Sequence, residues 1–239
     1  GKAYHFNYRF DDAIKAYDSF KKIASRSQIE KLQVDMQIEA CNNGKKLLNN
    51  ISDLYVIDKK QLRESEYFRS YDMKDAGWKL LGKLDDFKTS YDKKKNENSI
   101  IYLAQKNDQI YYSSYGEDGK NGKDIFVVNR LPSGEWSLPW SLGAPVNTKS
   151  DEDYPFLHPN GKVLYFCSKG HNSMGGYDIF KSTWNESSFS WNAPQNMDFP
   201  VNTPDDDILY VTDSLEKTAY FSSARSSPDG MIDVYKVNV

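Results

Sequence analysis

Apolar residues open the chain at a helical spacing. Phe6, Phe10, Ala13, Tyr17, Phe20 and Ala24 are separated by four, three, four, three and four positions, which places them on one face of a helix over residues 3–24. Ser27-Gln28-Ile29-Glu30 reads as a capping box that opens a second helix. Its apolar face would carry Ile29, Leu32, Met36, Ala40 and Leu47, with an interruption at Asn42-Asn43-Gly44 and an end at Asn49-Asn50. Two such helices make a hairpin over residues 1–50 that needs a further surface to cover both faces.

The pattern then changes to short runs of alternating and β-branched or aromatic residues, and these runs repeat. Tyr111-Tyr112-Ser113-Ser114, Tyr165-Phe166-Cys167-Ser168 and Tyr220-Phe221-Ser222-Ser223 lie 54 and 55 residues apart. Asp124-Ile125-Phe126, Asp178-Ile179-Phe180 and Asp233-Val234-Tyr235 follow at the same intervals, and Val146-Asn147-Thr148 returns as Val201-Asn202-Thr203. Strands are expected at Ile100–Ala104, Gln109–Ser114, Asp124–Asn129 and Glu135–Leu142 in the first unit. The second unit gives Asp153–Leu157, Lys162–Ser168, Tyr177–Thr183 and Ser190–Met197; the third gives Asp207–Thr212, Thr218–Ser223 and Ile232–Val237. Four short antiparallel strands per unit is the pattern of a β-propeller blade. The fold class is therefore mainly β with an N-terminal α-hairpin, a partial or fragmentary β-propeller over residues 51–239 with clear repeats at 99–239.

The third unit lacks a fourth strand. Either an N-terminal strand such as Asp53–Asp58 completes it, or the chain is a fragment of a longer propeller; the balance favours the fragment. Residues 51–98 read as a degenerate blade or a linker, with strands at Asp53–Asp58, Glu66–Phe68 and Gly77–Gly82 and a solvated basic loop at Lys93–Asn98. Asn160-Gly161 predicts a two-residue hairpin turn with both residues at positive φ, and Gly175-Gly176 a turn that side chains would obstruct.

Composition narrows the chemistry. The 239 residues carry a net charge of −3, which gives no basic surface for nucleic acid, and no apolar run has the length of a membrane span. The 17 tyrosines fall mostly in the expected strands, where they suit half-buried pleated surfaces. Cys41 and Cys167 sit in different modules and read as separate buried thiols rather than a disulfide. Asp151-Glu152-Asp153 and Asp205-Asp206-Asp207 lack the glycine and distal glutamate of a calcium loop, and serve better as turn acceptors. His5, His158 and His171 have no zinc-ligand spacing. Trp136, Trp140, Trp184 and Trp191 read as blade-packing residues, with a sugar platform as the sharper alternative. Ser226-to-Gly230 lacks the Thr-Trp of a sialidase Asp-box, and Glu135 and Glu186 do not align as a catalytic pair. No catalytic, metal or cofactor residue is assigned, and the binding residues are left unplaced.

Two resemblances carry the functional expectation. Asn7-Tyr8-Arg9-Phe10-Asp11-Asp12-Ala13-Ile14-Lys15-Ala16-Tyr17 resembles the first helix of a tetratricopeptide repeat, with Asn7 where glycine is usual. Asp153-x-Pro155, His158-Pro159-Asn160-Gly161-Lys162-Val163-Leu164-Tyr165-Phe166-Cys167-Ser168 and Gly175-Gly176-Tyr177-Asp178-Ile179-Phe180 resemble the WD40-like PD40 repeat, the TolB-type propeller unit. The third unit departs from it at Asp213-Ser214-Leu215-Glu216 and at Gly230-Met231-Ile232-Asp233. That order of modules is similar to cell-envelope proteins of Bacteroidota, among them a peptidoglycan-associated component of type IX secretion. The resemblance implies a non-enzymatic scaffold in the periplasm, associated with the outer membrane, whose partners are envelope proteins. In such proteins an OmpA-like domain holds peptidoglycan, and no stretch of these residues resembles it, so wall binding is not expected of them. The alternative is a propeller hydrolase or glycan-binding protein, which needs two carboxyl groups converging in one funnel.

Overall fold

The structure, a computed structural model, describes residues 1–72, 79–97, 99–103 and 108–239. Gly77, Trp78, Asn98 and Ala104, which fall in or beside expected strands, lie outside the described residues.

The helical start is cut more finely than its periodicity predicts, into α1 (Lys2–Phe6), α2 (Phe10–Lys21), α3 (Arg26–Lys31) and α4 (Val34–Leu47). The expected helix over 3–24 breaks at Tyr8, whose φ of 58° turns the chain and sets its ring edge-on to Phe199 at 5.8 Å. Ser25, not Ser27, forms the capping box, with Gln28 as its reciprocal partner. A second left-handed residue, Gln33 (φ 48°), separates α3 from α4 and leaves Leu32 exposed rather than on the apolar face. Asn42-Asn43-Gly44 does not interrupt α4. Glycine stands there because the Phe10 ring lies across the helix, and a Cβ on Gly44 would sit 2.5 Å from Phe10 Cζ. Phe10, Ala13, Tyr17, Val34 and Cys41 form a helical core of their own, separate from the cores of the sheets.

The rest is antiparallel sheet in blade form. The first unit pairs β4 (Gln109–Ser114), β5 (Asp124–Asn129) and β6 (Trp140–Ser141), with β2 (Lys79–Gly82) on β3 (Ile100–Leu103) beside them. The second pairs β7 (Glu152–Leu157), β8 (Val163–Ser168) and β9 (Asp178–Asn185), with β10 (Ser190–Trp191) and β11 (Gln195–Asn196) on the outer edge. The third runs β12 (Asp207–Thr212), β13 (Thr218–Ser223), β14 (Met231–Asn238) and then β1 (Tyr55–Arg63). The missing fourth strand is thus supplied from the N-terminal side, in register from Tyr55↔Asn238 to Arg63↔Met231. This is the first of the two alternatives above: β1 covers the edge that β14 would otherwise present unpaired.

Inner strand β7 packs against β3 on one side and β12 on the other. Between them lies the main core, including Phe156, Tyr165, Cys167, Leu209, Val211 and Phe221. Glu66–Phe68, expected as strand, opens a 3-10 helix (Tyr67–Ser70) instead, and this delivers Tyr67 and Tyr71 into that core. Tyr71 Oη bonds Leu209 O at 3.0 Å and Ser222 Oγ at 2.7 Å. The basic run that begins at Lys93 is not a free loop, since it starts inside α5 (Ser90–Lys94).

The repeated sequence marks are joints between strands. Asn147 accepts Ile125 N–H and donates to Ile125 O; Asn202 does the same to Ile179, so each Val-Asn-Thr clamps the strand that begins at the Asp-Ile-Phe motif. Tyr154 (φ 51°) and Leu209 (φ 54°) mark the same bulge in β7 and β12. At His158–Gly161 only Gly161 takes positive φ (71°), and Gly161 N–H bonds His158 O at 2.8 Å; the turn is wider than the two-residue hairpin expected. Gly175 meets the expectation: a Cβ there would lie 2.1 Å from the Pro204 carbonyl oxygen. Trp184 and Trp191 pack edge to face within the second blade, whereas Trp140 is 73% exposed and packs no core.

Candidate functional site

Serines at the ends of β4, β8 and β13 each point at a buried carboxylate. Ser168 Oγ donates to Glu152 Oε1 at 2.6 Å, Ser114 Oγ to Asp92 Oδ2 at 2.7 Å, and Ser223 hydrogen-bonds Asp207. Glu152 and Asp207 also take the amide and hydroxyl of Thr148 and Thr203. The acidic clusters are therefore acceptors for turns and blade joints, and no group of metal-ligating side chains is found among the described residues.

In the first unit these joints widen into a charged network. Lys83 Nζ, fully buried, donates to Asp92 Oδ2 at 2.8 Å and Ser113 O at 2.6 Å, and lies 3.2 Å from Glu97 Oε2. Glu97 continues through Ser99 and Lys123 to Asp153. A cavity of about 260 Å³ opens on this chain, lined by Glu97, Ser99, Tyr115, Lys123, Asp153 and Tyr154 among others. Sequence reasoning missed the site. Its members come from five segments, and those at Lys83 and at residues 92–99 belong to no repeat motif.

Glu97 and Asp153 are the carboxyl pair that a hydrolase reading requires, since both rest against Ser99 Oγ. The surroundings of Asp153 do not suit a general acid. Burial opposes ionisation of Asp153, but the Lys123 ammonium beside it, with the Tyr154 amide and Ser99 hydroxyl, holds it below the usual carboxylate range. A general acid must carry a proton near the working pH. Asp92 is likewise held low: burial works against its charge, and Lys83, Ser114 and the Tyr115 amide outweigh it. The Glu135 carboxylate accepts from the Ser133 hydroxyl, and Glu186 pairs with Lys162 on the surface.

A second cleft, of about 270 Å³, separates α4 (Met36, Ala40, Asn43) from the loops at Thr148 and at Lys169–Gly175. The helices reach the blades here through two side chains. His5 Nε2 bonds Met174 O at 2.7 Å, and Asn43 Nδ2 donates to Ser173 O at 3.0 Å. The histidines sit apart as hydrogen-bonding groups, His171 on Val146 O and His158 between Asp213 O and the Asn160 amide. Both cysteines are buried free thiols, and burial pushes Cys41 up to about 11.

Burial raises the acids of the second blade's joints far, and it raises Asp207 of the third as well, against the pull of Arg225. Burial raises Asp178 to about 8 and Glu152 to about 7, against the hydrogen bonds each receives. A carboxyl raised in the folded state stabilises fully below its unfolded value and loses that contribution as pH rises through the folded one. Stability to urea should therefore fall from about pH 4, where these carboxyls ionise in the unfolded chain, to about pH 8, where they have ionised in the folded one. Asp178→Asn keeps an acceptor for the Met174 amide and can donate to Ser173, so it should flatten that fall; an unchanged slope would remove Asp178 as its source.

No protein-family model and no curated protein matches the chain. Among solved structures it is similar to a chain assigned as TolB from Agrobacterium tumefaciens, with a TM-score of 0.40 and 12% identity over 69% of this chain. This chain covers 64% of that structure, a likeness too distant to carry an argument about activity.

Proposed function

We propose that the chain is a non-enzymatic interaction module of the cell envelope, with propeller blades carrying a helical unit that meets a protein partner. One observation carries the reading. Among the described residues, large apolar side chains left exposed concentrate before β2, at Tyr4, Phe6, Tyr8, Ile23, Leu32, Ile51 and Tyr55–Ile57. Grouped exposed apolar surface marks interaction sites. The tetratricopeptide-like helix and the PD40-like motifs support a periplasmic scaffold near the outer membrane, in an assembly of the type IX secretion kind. No helix of the described residues is long and apolar enough to cross a membrane.

The test is affinity capture from an envelope extract with the intact chain and with Tyr4→Ser/Phe6→Ser/Ile23→Ser, whose three residues are exposed and outside the helical core. The intact chain should retain a defined set of envelope proteins, and the variant should lose them while unfolding at the same temperature. Equal retention by both chains would move the partner face elsewhere. Turnover of a glycan by the purified chain would replace the reading with the hydrolase alternative.

A further inference from the structure

The junction between helices and blades is built unlike either part. Each side closes its own apolar core, and the contacts across the junction include the two bonds to Ser173 and Met174, the Tyr8–Phe199 ring contact and the walls of the cleft. Residues 170–176 form the blade side. This loop hangs from Asp178, which takes the Met174 amide at 3.0 Å and the Ser173 hydroxyl at 3.1 Å, and it is pinned by Gly175 against Pro204. Two of the chain's three histidines bracket it. His5 reaches it from α1, and His171 (φ 51°) ties its start to Val146 O at 2.9 Å.

We propose that this loop is an acid-released latch: protonating His5, with His171 in support, detaches the helices from the blades while both parts stay folded. The His5 ring is packed among Phe6, Phe10 and Tyr17, with Gln37 of α4 and the Met174 carbonyl as its polar neighbours. Tyr17 and Cys41 are the titratable groups behind it, raised by burial to about 12 and about 11, so both are neutral when an imidazole titrates. Around His171 stand Phe166 and Phe180, while the cleft beside it holds Lys149, Lys169 and Glu39. Asp178 does not set the response on acidification, because it already holds its proton near neutral pH.

An imidazolium could still donate to Met174 O. What it lacks in the docked state is water or an anion, and a buried charge without either is costly. Burial accordingly lowers both histidines, against the hydrogen bonds they make. The sign follows: a depressed histidine favours docking above its unfolded value and ceases to do so as pH falls through it. The raised carboxyls of the blades act in the opposite sense, so acid should loosen the junction without loosening the sheets.

Hydrogen exchange of the full chain, corrected for the intrinsic effect of pH, would be compared at about pH 7.5 and about pH 5. Protection in residues 2–6 and 170–176 should fall about tenfold or more at the lower pH, while β8 and β13 keep theirs. His5→Gln retains a donor toward Met174 O without a titrating ring and should hold protection at both values. Loss of equal size in His5→Gln, or none in the native chain, overturns the latch. If His5→Gln fails to fold, the native chain decides alone: the His5 ring resonance must titrate together with the opening of residues 170–176, and titration without opening refutes the proposal.

Discussion

Lys83→Met should lower the stability of the chain by about 3–5 kcal/mol, the cost of stripping one partner from a buried ion pair. The ammonium is fully buried and faces Asp92 and Glu97 at 2.8 and 3.2 Å. Methionine fills much the same volume, so little of the loss would come from a cavity. Asp92 would keep its bonds from Ser114, Tyr115 and Thr89, whereas Glu97 Oε2 has no other hydrogen-bond donor among the described residues. The companion variant Lys83→Met/Glu97→Gln should therefore recover part of the loss. Urea unfolding of the two variants beside the native chain gives both numbers. A single variant within about 1 kcal/mol of native would mean that the network is hydrated rather than sealed.

Arg225→Met should cost a similar amount, about 3–5 kcal/mol, for a different reason. The guanidinium joins Asp207 Oδ1 at 2.7 Å to Pro200 O at 2.6 Å, to Val201 O and to Ser223 Oγ, and so fastens the loop before the third blade onto its inner strand. The repeat supplies the control. Gly170 stands in the second unit where Arg225 stands in the third, and Glu152, the counterpart of Asp207, is the acid raised to about 7. Burial already raises Asp207, and Arg225 offsets part of that rise, so without Arg225 the third joint should grow more pH-sensitive, seen as a steeper loss of stability as pH rises. A loss of stability with an unchanged pH slope would separate the packing role of Arg225 from its charge.

These joints also explain what the sequence disclosed. Strands β4, β5, β12 and β13 fall at their expected residues because each begins or ends at a side chain with a fixed partner: Ser114, Asn147 bonding Ile125, Thr203 bonding Asp207. A repeat exposes such positions even when their partners are unknown. Residues 51–98 have no second copy to compare with, and their described parts serve three places: β1 in the last blade, Tyr67 and Tyr71 in the core, Lys83 and Asp92 in the charged network. Local pattern could not show that, because Tyr55–Arg63 is exposed along nearly its whole length and its pairing with β14 is a long-range event. The helical breaks at Tyr8 and Gln33 were equally hidden, as each depends on a left-handed residue other than glycine. The candidate site was least legible, since it assembles lysines and acids that as single residues look like solvated surface.

The strand that closes the third blade has a mechanical consequence. β1 and β14 are antiparallel, and Tyr55 pairs with Asn238, so the helix-side end of one strand lies beside the C-terminal end of the other. Tension applied between the helices and Val239 would load the Tyr55–Asn238 pair first and then each pair in turn, as a zipper opens, rather than all of them together in shear. A protein held between two anchors in that way would yield at low force and in one place. The other sheets, whose strands are joined by short connections, would stay folded while β1 peeled away.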